Sequence, residues 1–178
     1  MKLLPEGKSR ALSFLALAAA AASCAMAVKA SYDLATMLGV FGTPALYLSL
    51  AKSTVPYGMP PLAVLLVKNM RAVFVFAFFF WVSAFALAAG VWLRREWARR
   101  GAVWTLYLLA AVFLLLLVYP WLAVPRPLIF WGVPVSPEFN AAVRGAAHLV
   151  RLMALVAGGV SLWWALALDR TALRREFL

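Results

Sequence analysis

Few side chains in this sequence could do acid–base, nucleophilic or metal chemistry. Its 178 residues include one histidine, His148, one cysteine, Cys24, and six carboxylates. Metal binding by imidazole or thiolate needs several converging ligands, and one of each does not supply them. Glu6, Asp33, Glu96, Glu138, Asp169 and Glu176 are dispersed along the chain, and none falls in the middle of a long apolar run. An intramembrane proton relay of the Asp/Glu type therefore has no members. No phosphate-cradling glycine loop, Ser-His-Asp set or dinucleotide fingerprint is present. The expectation is a non-enzymatic protein with no catalytic residue, no metal and no cofactor.

One constellation could bind rather than react. Asn140, Arg144, His148 and Arg151 are spaced 4, 4 and 3 apart, which places them on one face of a helix. Lys68 and Arg71 hold the equivalent place before an earlier apolar run. If both sets lie at helix N-termini, where the macrodipole is already positive, each cation costs a few tenths to about 1 kcal/mol unless an anion is nearby. Free N–H groups at such termini also suit anions. Lys68, Arg71, Arg144, His148 and Arg151 are thus expected to form an outward-facing anion or lipid-phosphate site. The plainer alternative is that these side chains snorkel to the headgroup layer and bind nothing specific.

The elements that must position these residues follow from composition. Hydrophobic residues make up 66% of the chain and charged residues 13%, with a mean hydropathy of +0.93. Soluble domains usually carry about 25% charged residues, so the class is an integral membrane protein. The net charge of +11 would suggest nucleic acid in a soluble chain. Here the cations sit at the ends of apolar runs, so anionic lipid headgroups are the expected partner and nucleic acid is not. Cys24 lies inside an apolar run and has no second cysteine to pair with.

Four spans are expected, at about 11–28, 72–93, 101–121 and 149–168. Ala72–Leu93 would reach about 33 Å as a helix, a match to the bilayer core. Basic head, alanine-rich run and Ala25-Met26-Ala27 resemble a cleavable secretory signal. The 18-residue run is longer than the ~7–15 of a typical signal core, so a retained first span is expected. The middle spans are joined by Arg94-Arg95-Glu96-Trp97-Ala98-Arg99-Arg100, a dense basic turn. Short basic loops stay on the cytoplasmic side. The head, this turn and the tail together hold ten Lys and Arg, against seven elsewhere. Both termini are therefore expected in the cytoplasm, with Arg94, Arg95, Arg99, Arg100, Arg174 and Arg175 on inner-leaflet headgroups.

Leu34–Ala51 has no charge but is interrupted by Gly39, Gly42 and Pro44. A fifth crossing there would put the basic turn outside relative to the basic N-terminus. An interfacial or re-entrant segment is expected instead. Prolines also punctuate the second long outer connection, at 125, 127, 134 and 137. An internal repeat is suggested by a common offset of about 80 residues: Arg71 and Arg94-Arg95-Glu96-Trp97 against Arg151 and Arg174-Arg175-Glu176-Phe177. Duplication of a two-helix unit would explain it, with halves 1–100 and 101–178; spans of equal length with basic ends would produce the same matches.

Gly90 to Arg99, followed by a leucine-rich span, resembles a pattern in small uncharacterised four-helix bacterial membrane proteins. Ser161-Leu162-Trp163-Trp164 leading to Arg174-Arg175-Glu176-Phe177 is similar to how such proteins end. The resemblance covers about a third of the chain, adds no catalytic residue, and implies a bacterial inner-membrane location. The expected fold is all-α: one integral membrane domain over 1–178, a four-helix bundle with two long outer connections. Its expected role is a structural or accessory subunit of a membrane complex, partnered by another membrane protein or by itself. A lipid- or anion-binding carrier is the alternative, and an enzyme on lipid headgroups ranks last.

Overall fold

The computed structural model describes residues 9–40, 49, 52, 59–130, 133–134, 136–170 and 177. Among these the elements run α1 (Arg10–Val40), α2 (Pro61–Lys68), α3 (Met70–Trp92), α4 (Glu96–Val118), a 3-10 turn (Pro120–Leu122), β1 (Ile129–Phe130), β2 (Val133–Pro134) and α5 (Pro137–Asp169). The described residues are all-α apart from this antiparallel ribbon, in which Phe130 pairs with Val133. Four helices, α1, α3, α4 and α5, are each long and apolar enough to cross a bilayer. Their length and composition mark the chain as a multi-pass membrane protein.

The helix boundaries differ from those read off hydropathy, each for a local reason. α1 does not end at Val28. It continues through Lys29, whose Nζ lies 2.7 Å from Asp33 Oδ2 one turn on, and such i,i+4 pairs support a helix rather than stop it. Gly39 lies inside α1; the expected interfacial segment 34–51 is thus helical as far as Val40, and its remainder falls almost wholly outside the described residues. α4 begins at Glu96, not Gly101. Glu96 sits in the first turn, where a carboxylate is favoured, and its contacts to Arg99 and Arg100 lie within that helix. α4 stops at Val118 because Tyr119 precedes Pro120, and a residue before proline is pushed out of helical geometry. α5 begins at Pro137, 12 residues before the expected span, with Ser136 Oγ accepting from Phe139 N and proline in the first turn.

At 23 residues, α3 and α4 reach about 34 Å. α1 and α5, with 31 and 33 residues, reach about 46 and 50 Å and exceed a bilayer core of about 30 Å.

The described residues fall into two compact units. The first contains α1, nearly all of α3, the first half of α4 and the last turns of α5. Its core is Leu12, Ala16, Val91, Ala98, Val103, Leu168 and Phe177. Along α1 the buried positions include Ala16, Ala20, Ser23, Ala30 and Met37, so a seam repeating every 3.5 residues is made mostly of small side chains. α3 and α4 approach tightly at Gly90, where a Cβ would collide with Ala98 Cβ.

The second unit contains α2, the second half of α4, the 3-10 turn, the ribbon and most of α5. Here α4 and α5 meet at Gly158, where a Cβ would stand 3.0 Å from Phe113 Cβ. Outward positions of the long helices are large and apolar, among them Phe76, Phe79, Leu108, Leu114, Leu155 and Leu166. In water they would be an aggregation hazard; against acyl chains they need no partner.

Candidate functional site

The densest set of polar contacts lies in the first unit, around the turn between α3 and α4. Arg95 N donates to Gly90 O at 2.8 Å and Arg94 N to Val91 O at 3.0 Å. This is the Schellman arrangement that satisfies the last carbonyls of a helix. Its left-handed position, usually glycine, is taken by Arg94, with φ at 56°. A side chain in that region carries strain of about 1 kcal/mol or more. The geometry lets Arg94 reach back to the start of α1. Arg94 Nη2 donates to Ser9 O at 3.0 Å and Ser13 Oγ at 2.9 Å. Its guanidinium carbon stands 5.7 Å from the centre of the Phe177 ring, within cation–π range. Ser9 Oγ accepts from Leu12 N and so caps α1 as well.

Arg99, one turn into α4, ties the same turn to the end of α5. Nε and Nη2 donate to the two Glu96 oxygens, each at 2.8 Å, the bidentate geometry that suits a guanidinium. Nη1 donates at 3.2 Å to both Leu168 O and Asp169 Oδ1. Arg94 and Arg99 are 7% and 4% exposed. Two buried cations therefore gather the start of α1, the turn after α3, the start of α4 and the end of α5 at one end of this unit. α1 and α4 leave that end, and α3 and α5 arrive at it.

These contacts redistribute the six cations expected at headgroups. Arg94 and Arg99 are turned inward and engaged by the protein itself, while Arg95 and Arg100 are exposed. Arg174 and Arg175 lie outside the described residues, as does most of the second copy of the repeat motif.

The expected outer anion site is placed differently from its premise. Lys68 ends α2, where the helix dipole is negative, and only Arg71 sits in the first turn of a long helix. Arg144, His148 and Arg151 are exposed, but two to four turns into α5 because that helix starts at Pro137. Helix-terminus electrostatics therefore do not apply to them. Asn140 does not share their exposed face. It is 3% exposed and lies on the buried seam with Val143, Ala147 and Ala154. Its side-chain amide donates to Leu128 O at 3.0 Å and accepts from Leu128 N at 2.7 Å, bracing the proline-rich connection.

Ser9, Ser13 and the Asn140–Leu128 pair were not singled out from sequence, and Phe177 stood there only as part of the repeat motif. A serine before an apolar run is a readable capping signal for Ser9; the other contacts bridge residues 12 to 85 positions apart and leave no local trace. Among the described residues, no group of three or more His, Cys, Asp or Glu could hold a metal ion.

No protein-family model matches the chain, and neither the curated proteins nor the solved structures compared with it yield a match.

Proposed function

We propose that this chain is a non-enzymatic protein of the bacterial cytoplasmic membrane, a structural or accessory subunit of a membrane complex with both ends on the cytoplasmic side. The observation that carries this reading is the excess length of α1 and α5. Counted from the clamped end, a bilayer core is used up near Lys29 in α1 and near Val150 in α5. The remaining turns, Ala30–Val40 and Pro137–Leu149, are rigid helix beyond the hydrocarbon. They carry exposed apolar groups, Tyr32 and Leu38 on α1 and Phe139 on α5. Lipid tails do not reach such positions, so a protein partner or a second copy is the natural cover. The inward use of Arg94 and Arg99 as ties supports a scaffold role for the buried charge.

Photo-crosslinking groups placed at Tyr32 and Phe139 in living cells test the role. One discrete adduct from either position is expected, at twice the chain's mass if the partner is a second copy. Adducts to lipid alone, from a chain that purifies as a monomer, would sink the proposal. Orientation is tested separately with a cysteine at position 97 in a Cys24-free variant. It should resist a membrane-impermeant thiol reagent added to intact cells.

The exposed stripe of Arg144, His148 and Arg151 favours a second reading, a lipid- or anion-binding carrier. Joint replacement of Arg144 and Arg151 by Gln should then abolish stabilisation by anionic lipid.

A further inference from the structure

A cleft of about 220 Å³ opens in the first unit, between the start of α4 and the end of α5, lined by Arg99, Arg100, Val103, Trp104, Tyr107 and Asp169. Positions 99, 103 and 107 repeat every four residues, so the cleft follows one face of α4 for about 12 Å. Its floor is Arg99 and Val103, both buried. The exposed groups at its mouth are Arg100, Asp169 and Trp104, the first two with side chains 66% and 59% open to solvent. Charge thus lies at one end of the cleft, and apolar and aromatic surface extends from it toward the middle of the span.

The two charges at the mouth are opposite in sign and neither is fully used. Arg100 engages Glu96 through Nε at 2.9 Å, and its terminal amino groups are not part of that bond. Asp169 accepts from Arg99 through Oδ1 alone, at 3.2 Å. The lining groups Arg99, Arg100 and Asp169 carry a net charge of +1, which Glu96, bonded to both arginines beside the cleft, neutralises, leaving a positive group at Arg100 and a negative one at Asp169. An anion gains little from a neutral site of this kind. A zwitterion satisfies both ends.

We propose that this cleft binds one glycerophospholipid whose headgroup carries a primary ammonium, with the phosphodiester on Arg100, the ammonium on Asp169, and the glycerol and first acyl carbons along Val103, Trp104 and Tyr107. The assignment rests on the membrane reading above and adds a headgroup preference to it. A quaternary ammonium has no N–H to donate to Asp169, and a glycerol headgroup has no positive charge.

The test uses the full-length chain, purified and delipidated in mild detergent. Retained lipid is counted by native mass spectrometry after exposure to dioleoyl-phosphatidylethanolamine, -phosphatidylcholine or -phosphatidylglycerol. The parent should retain the ethanolamine lipid about tenfold better than the choline lipid, the ratio expected for one charge-assisted hydrogen bond. Asp169→Asn should erase that preference. Arg100→Gln should weaken retention of all three lipids, whereas Arg95→Gln, an exposed cation outside the cleft, should change nothing. Melting temperature without added lipid reads folding independently; should Asp169→Asn lower it, Arg100→Gln against Arg95→Gln decides the matter. Equal retention of the three lipids by the parent, or equal effects of Arg95→Gln and Arg100→Gln, would overturn the site. Recovery of the chain in the soluble fraction of carbonate-washed cells would instead overturn the membrane reading beneath it.

Discussion

The turn after α3 and the connection before α5 face the same problem and solve it with different chemistry. At each, chain leaving one helix must be held against another element without stranding buried polar groups. Around Arg94 and Arg99 the solution is ionic: two guanidiniums reach partners 69 to 85 residues away and bring four helix ends together. At Asn140 the solution is neutral: one amide pairs with both backbone groups of Leu128, 12 residues away. A guanidinium has five donors and can serve several carbonyls and carboxylates at once, whereas an amide serves one backbone position well. The difference teaches where cohesion is concentrated. The cationic end is a junction of distant segments, and the proline-rich connection is a local brace.

Arg99→Ala should have the largest effect. It leaves Leu168 O without its side-chain donor and removes the tie between α4 and α5, a loss of about 2–3 kcal/mol, the upper range for hydrogen bonds to a charged group. Denaturant titration in detergent micelles measures it. Arg99→Lys should recover only part of the loss, because an ammonium cannot bridge both Glu96 oxygens as the fork does. If Arg99→Ala proved no worse than Asn140→Ala, the junction would hold no more than the brace.

Gly90→Ala comes next, at about 2 kcal/mol, because the added methyl meets Ala98 Cβ, which is fully buried and cannot move aside. The same change at Gly101 meets only the end of the flexible Leu87 side chain, and should shift the melting temperature much less. Equal shifts at the two glycines would show that the α3–α4 approach is looser than its geometry implies.

Asn140→Ala removes both bonds to Leu128 and should cost about 1–2 kcal/mol. Asn140→Asp sharpens the point, since an ionised carboxylate can accept from Leu128 N but cannot donate to Leu128 O. Repulsion from that carbonyl disfavours the charged form in the folded protein, so this variant should be most stable at acid pH and weaken as pH rises. A flat pH profile relative to the parent would count against the amide's donor role. The smallest effect belongs to Lys29→Ala. Its 2.7 Å contact to Asp33 is solvent-exposed, and such pairs contribute about 0–1 kcal/mol. A large loss there would break the distinction between buried junction and surface pair.

Hydropathy and charge along the chain determined the class and the number of long helices. They did so because a bilayer demands about 20 apolar residues per crossing and penalises charge inside it. Turn chemistry near Pro120 and Pro137 is equally local, yet the expected spans ran through the first proline and began 12 residues after the second. What apolar content could not give was the helix ends at Val40, Glu96 and Pro137, since helical hydrogen bonding continues past the hydrocarbon wherever an ion pair or a cap supports it. Nor could it separate Arg94 and Arg99 from Arg95 and Arg100, four cations of one type within seven positions. Only the packed structure decided which two turn inward, because that depends on Ser9, Ser13, Leu168 and Phe177 arriving from the far ends of the chain. The same holds for Asn140, grouped by spacing with Arg144 and His148 but buried by the neighbour that its helix face meets. Spacing tells which residues share a face; tertiary contact tells which face has a partner.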